Sequence, residues 1–314
     1  MNMKNTYFLK GFKGNNHIGL YLLMLVILII ATALGSIPYA LIITIKSEIL
    51  GIAIDPSDMR SISQLGINQN LLLFLMILSF VVGLAAFIFL IKPMHNKKIK
   101  DILTGRKNFD LKRLFFGAAV WGGLMIVSFI VSYTLNPSDY TLQFNLNQFI
   151  ILIFISIVFI TIQASFEEII FRGYLQQGLA VLFKNAWIPL IITSILFGLG
   201  HISNPEVKEF GVGIMLPQYI TLGLIFGICV IMDEGLEIVI GVHVINNILS
   251  ALLVTDESSV LQTAAIFKVK NVNPMYSFYE LIILSVLFLG IISYKYKWGS
   301  FKKIFAKITP EISE

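Results

Sequence analysis

Phe149-Ile-Ile-Leu-Ile-Phe-Ile-Ser-Ile-Val-Phe-Ile-Thr-Ile-Gln-Ala-Ser165-Phe-Glu167-Glu168-Ile-Ile-Phe-Arg172-Gly173 is the stretch that decides the fold class. Residues 149–166 carry no charge, and a helix of about 20 apolar residues is enough to cross the hydrocarbon of a bilayer. Two acids and an arginine then follow inside the same apolar run. Ionisable groups at that depth are costly and face a partner or a cavity rather than lipid.

The same ruler moved outward along the chain marks eight candidate spans, at 18–45, 71–92, 114–134, 149–170, 187–201, 216–232, 236–254 and 279–295. Hydrophobic residues make up 57% and charged residues 13% of the 314. With a mean hydropathy of +0.85, the chain lacks the polar groups to cover its own surface. The expected fold is all-α, a polytopic transmembrane helical bundle. Residues 1–148 supply N-terminal transmembrane helices, 149–254 a polar-centred core, and 255–314 a last span and basic tail. No repeat or separate soluble domain is visible. The first run, from Ile18, lacks a small-residue cleavage site and reads as a retained span. A kink is expected in it near Gly35 and Pro38. Gly35, Gly83, Gly122 and Gly123 read as helix-packing positions, and Cys229, being alone, has no partner for a disulfide in its own chain.

Charge sets the orientation. Of the 23 Lys and Arg, 18 fall on the side that includes both termini and 5 on the other. Basic loops stay in the cytoplasm, so both termini are expected there, in a cell (plasma) membrane. The net charge of +5 is explained by anionic lipid as the partner and gives no reason to expect nucleic acid. Asp233, Glu234 and Glu237 read as a solvated turn with its flank.

Three polar clusters interrupt the apolar segments. Glu168 and Arg172, four apart with the acid first, have the favourable order for a helical ion pair. Glu167 points about 100° away and is left free for another group. Lys184 and Asn185 reverse the chain midway between Glu167 and His201, which would bring those two to a similar depth. His243 and Asn247 share a helix face, with Asn246 beside them. A carboxylate can take a proton from water, and amide or imidazole donors can hold an oxyanion. Glu167, His201 and His243 also make a possible zinc set. No Gly-x-Ser-x-Gly elbow surrounds Ser165, which argues against a serine hydrolase.

Glu167-Glu168-x-x-x-Arg172, Phe197-x-x-x-His201 and His243-x-x-x-Asn247, in that order, resemble the CAAX-protease and bacteriocin-processing (CPBP, or Abi) intramembrane proteases, which include the type II CAAX prenyl endopeptidases. The resemblance covers 149–254. It implies an intramembrane endopeptidase acting on a membrane-presented peptide or protein, with its site open toward the cytoplasm. It further implies catalytic residues Glu167, Glu168, His201, His243 and Asn247, in which Glu167 and His201 activate water and His243 and Asn247 form the oxyanion side. Arg172 then belongs to a structural ion pair. Many members are labelled metalloproteases, so zinc is a possible cofactor, although Asn247 is a poor zinc ligand. Two other readings compete. Intramembrane Glu and His also make proton-coupled transporters, though no repeat of the kind transporters show is present. A non-enzymatic immunity or scaffold protein could keep the same fold.

Overall fold

The computed structural model describes residues 5–55, 59–260 and 262–308. The outer ends of the expected first and last segments, 1–4 and 309–314, therefore lie outside the described residues. Six helices are long and apolar enough to cross a membrane: α1 (Ile18–Leu50), α2 (Gln69–His95), α3 (Leu111–Leu135), α4 (Leu146–Phe183), α6 (Val212–Asp233) and α8 (Pro274–Tyr296). Two shorter apolar helices, α5 (Trp187–Gly200) and α7 (Glu237–Leu253), correspond to the fifth and seventh expected spans. At 1.5 Å per residue α5 is only about 21 Å long, short of a full crossing. Both short helices pack among the long ones, and both carry site residues. The all-α bundle stands, with six helices of spanning length rather than eight.

The ends are written into the chain. Asn68, Asp110, Asn145 and Asn273 each cap the first turn of α2, α3, α4 and α8 by accepting backbone N–H bonds with their side chains. Asn96, Lys184, Glu234 and Lys297 end their helices in the left-handed region, so the expected reversal at Lys184 is present. α1 remains one helix through Gly35 and Pro38. A Cβ at Gly35 would come within 2.7 Å of Ser79 Cα, so the glycine lets α1 and α2 pack backbone to backbone.

The largest departure from a simple bundle lies in α4. Its hydrogen bonding widens to π-type turns at Ser156–Ile160 and again at Ile169–Leu175, and such bulges rotate side chains relative to an ideal helix. A small sheet absent from the sequence reading joins β1 (Tyr140–Leu142), β2 (Val254–Thr255) and β3 (Phe267–Val269) in the order β1-β3-β2. The β1–β3 pair is antiparallel and the β2–β3 pair parallel. It covers the end of the bundle away from the Lys and Arg clusters.

Candidate active site

α3 and α7 touch almost backbone to backbone, and this contact places the site. A Cβ on Gly241 would meet the Leu114 carbonyl oxygen at 2.1 Å. Only glycine admits that approach, which seats His243 two residues on against α4. The His243 Nδ1 lies 2.7 Å from Glu168 Oε1, and Arg172 Nη1 donates to the same oxygen at 3.0 Å. Glu168 and Arg172 are fully buried. The guanidinium lies over the Phe197 ring at 4.1 Å and beside Phe226 at 5.4 Å, a cation–π enclosure. An ionised carboxylate is only an acceptor, so the Nδ1 donates to it, and in the neutral imidazole Nε2 is left with its lone pair. That Nε2 lies 3.8 Å from Glu167 Oε2.

A string of hydrogen bonds fixes Glu167 from its other side. Trp121 Nε1 donates to Asn246 Oδ1 at 3.0 Å, Asn246 Nδ2 to Asn247 Oδ1 at 3.1 Å, and Asn247 Nδ2 to Gln163 Oε1 at 3.0 Å. Gln163 Nε2 then donates to Glu167 Oε1. Every donor points toward the carboxylate, so the bonds polarise one another. Glu167 Oε2 is buried and has no hydrogen-bond partner.

The structure thus brings Glu167, Glu168, Arg172 and His243 together and links Asn247 to Glu167 through Gln163. His201 lines the same cavity but stands apart. Its Nδ1 is 2.7 Å from the Phe197 carbonyl, and its ring stacks on Tyr219 at 4.3 Å. No hydrogen bond or ion pair joins it to Glu167 among the described residues. The equal-depth argument about residue 184 assumed two ideal helices. Glu167 and His201 do line one cavity, but α4 carries π-turns and the imidazole that reaches Glu167 is His243. Among the described residues no three His, Cys, Asp or Glu side chains converge as a metal cluster. The possible zinc set of Glu167, His201 and His243 is therefore not assembled among those residues.

Sequence reasoning missed Gln163, Trp121, Tyr219 and Glu206. Gln163 was legible in principle, four residues before Glu167 on the same helix. Glu206, from the short helix Pro205–Phe210, accepts from the Tyr219 hydroxyl and from Asn204 Nδ2.

The cavity has a volume of about 1020 Å³. It runs from Glu167, His243 and Asn247 outward to Asn136, Asp139, Asp256 and Asn271, at the end opposite the Lys and Arg clusters. Near its mouth, burial pushes the Tyr140 hydroxyl up, with the Glu280 and Asp139 charges adding to the effect. The other end is closed. Tyr7, from the short helix Thr6–Gly11, donates its O–H to the carbonyls of Ile102 and Arg172. Asp233 and Glu237, expected in a solvated turn, are 3% and 0% exposed. Arg106 reaches Asp233 at 2.8 Å and Glu237 at 3.1 Å, Arg113 binds Asp233, and Trp298 Nε1 donates to Asp233 at 3.1 Å. These guanidiniums come from the loop and helix start that fold over the turn, which is why acids that look solvated in sequence are sealed.

Residues 147–249 match the family model described as type II CAAX prenyl endopeptidase Rce1-like. That span holds Glu167, Glu168, Arg172, His201, His243 and Asn247. This segment belongs to the CAAX-protease family. The match and the apolar helices together support an integral membrane protein with a segment of the CAAX-type intramembrane protease class in general. Over 299 residues, 94% of this chain and 98% of the relative, it is also 25% identical to the "Uncharacterized protein YyaK" of Bacillus subtilis (strain 168). No solved structure matches.

Proposed function

We propose that the protein is an endopeptidase that hydrolyses a membrane-presented peptide with a water activated by Glu167 and His243, in a cell membrane and with both termini in the cytoplasm. One observation carries the reading. An unpartnered carboxylate oxygen and an imidazole nitrogen from two different helices face each other across 3.8 Å on a cavity wall. That spacing suits a single water hydrogen-bonded to both. Glu167 takes the proton as the water oxygen attacks the peptide carbonyl, forming the C–O bond and moving the π pair onto the carbonyl oxygen. The second N–H of Asn247, a residue that lines the same cavity, is assigned to that oxyanion. On collapse the C–N bond breaks, and the proton held by Glu167 passes to the leaving nitrogen. Glu168 and Arg172 act behind His243, fixing its tautomer. His201, across the cavity, is assigned to substrate contact.

The test uses purified protein in lipid vesicles and single-span peptides, with products read by mass spectrometry. Glu167→Gln is expected to lower the rate by about 10²–10⁴-fold with thermal stability unchanged. Asn247→Ala should lower kcat by about 10²-fold, and His201→Ala should act mainly on KM. Full activity in both Glu167→Gln and Asn247→Ala would refute the assignment.

A further inference from the structure

The string of hydrogen bonds behind Glu167 starts outside the segment that matches the family model. Trp121 lies on α3, is buried, and meets the Phe288 ring edge-on at 5.5 Å. Its Nε1–H goes to Asn246 Oδ1, and three further bonds lead from there to Glu167. The two ends of the string have one role each. An indole N–H only donates, and an ionised carboxylate only accepts. The links between them, Asn246, Asn247 and Gln163, are amides, which accept through the oxygen and donate through the nitrogen. Strung between such ends, the amides have a single orientation in which every link is a bond. That is the orientation they take.

Hydrolysis invites the opposite orientation. Once Glu167 has taken a proton from water, the carboxyl can donate as well as accept. A proton on Oε1 would meet the Gln163 N–H, donor against donor, unless Gln163 turned its carbonyl to it. Gln163 Nε2 would then donate to Asn247 Oδ1 and Asn247 Nδ2 to Asn246 Oδ1, leaving Asn246 Nδ2 aimed at Trp121. Every contact in that reversed string is a hydrogen bond except the last. There two N–H groups face each other, and the indole nitrogen has no lone pair to accept with. Trp121 is the one link that tells the two directions apart.

We propose that Trp121 is a positioning residue that locks the direction of the three amides throughout the reaction. This deepens the protease reading and rests on it for the roles of Glu167 and Asn247. With the direction locked, Gln163 keeps its N–H on Oε1. The proton taken from water is then held on Oε2, the oxygen 3.8 Å from His243 Nε2, and passes from there to the leaving nitrogen. The lock also keeps Asn247 Nδ2 turned to Gln163, so its second N–H stays available to the oxyanion. In the reversed string the Asn247 carbonyl oxygen takes that position and has no hydrogen to give. Base and oxyanion donor thus both depend on an indole N–H four hydrogen bonds away from Glu167.

The experiment removes the N–H and keeps the ring. Trp121 is replaced by benzothienylalanine through site-specific incorporation, which puts sulfur where the N–H stood, and separately by Phe. Cleavage of a single-span peptide is followed with the full chain in lipid vesicles. For both replacements kcat should fall about tenfold with KM unchanged, the weight of roughly one hydrogen bond. The loss should vanish in an Asn247→Ala background, where no string is left to direct, and persist in a His201→Ala background. A merely structural Trp121 would act alike in both backgrounds, and that result overturns the proposal. A second readout needs no cleavage. In protein carrying isotope-labelled tryptophan, the Trp121 indole N–H resonance is assigned by its loss in Trp121→Phe. It should move upfield in Gln163→Leu, a residue with which Trp121 shares no bond, because bonds in series polarise one another. An unmoved resonance overturns the proposal. A resonance that moves in a protein that cleaves no peptide overturns the protease reading while supporting the directional lock.

Discussion

The two ends of this bundle treat carboxylates in opposite ways. At the basic end Asp233 and Glu237 are buried, and guanidiniums from Arg106 and Arg113 reach them. At the other end Asp139, Asp256 and Glu280 line a cavity with only neutral partners. Burial of a charge is tolerated when it is paired and hydrogen-bonded, so the first end is closed by its charges. Where no counter-ion is supplied, acids stay where a ligand or water can reach them. Acids beside arginines mark a seam, and acids beside amides and hydroxyls mark an opening. Glu168 and Glu167 repeat the contrast one residue apart. Each keeps an Oε2 without a hydrogen-bond partner, but the first is paired to Arg172 and the second to no Lys or Arg among the described residues.

The sharpest way to break the comparison is at that pair. Arg172→Met leaves the Glu168 carboxylate fully buried with only His243 to face it. Removing one member of a buried pair costs about 3–5 kcal/mol, read as a fall in thermal unfolding temperature in detergent. Arg172→Met with Glu168→Gln should recover part of that loss, because no uncompensated charge remains. A single variant as stable as the parent would mean that Glu168 is not held as an anion.

The next effect compares the ends directly. Asp233→Asn weakens charge-assisted bonds from Arg106, Arg113 and Trp298 at once, and about 2–3 kcal/mol should be lost. Asp256→Asn, at the open end, should stay within about 0.5 kcal/mol of the parent. Similar losses at both positions would erase the distinction between a seam and an opening.

Much of this was legible in the sequence, for reasons that differ by element. Apolar runs report helices because lipid leaves no other way to satisfy the backbone, so the eight segments were found even where boundaries moved. The Glu168–Arg172 pair and the face shared by His243 and Asn247 needed only the repeat of a helix. Neither the partner of Glu167 nor the fate of Asp233 could be read that way. The first depends on π-turns in α4, which have no sequence signature here, and on Gly241, whose meaning appears only beside Leu114. The second depends on Arg106 and Arg113, more than 100 residues earlier in the chain, whose count entered the orientation reading but whose partners were invisible. The small sheet was missed because its strands are too short to show a period.

The smallest effect lies at the sealed end, where Lys97 tests whether a buried cation there can go without an anion. Lys97 is 2% exposed, and its ammonium donates to the Gly11 carbonyl at 2.8 Å, Asn16 Oδ1 at 2.7 Å and the Tyr21 hydroxyl at 3.0 Å. Burial lowers it from 10.5 to about 8, with Asp101 opposing the fall. The unfolded chain therefore holds this proton between about pH 8 and 10.5 while the folded protein releases it. Stability linked to Lys97 rises with pH through that window, and the burial penalty is fully present below pH 8. The gain from below pH 8 to pH 10 is about 2 kcal/mol. Unfolding temperatures measured at steps from pH 7.5 to 10 should show the parent gaining on Lys97→Met. Parallel curves would show that the three oxygens alone keep Lys97 charged, so that a sealed cation at this end needs no carboxylate beside it.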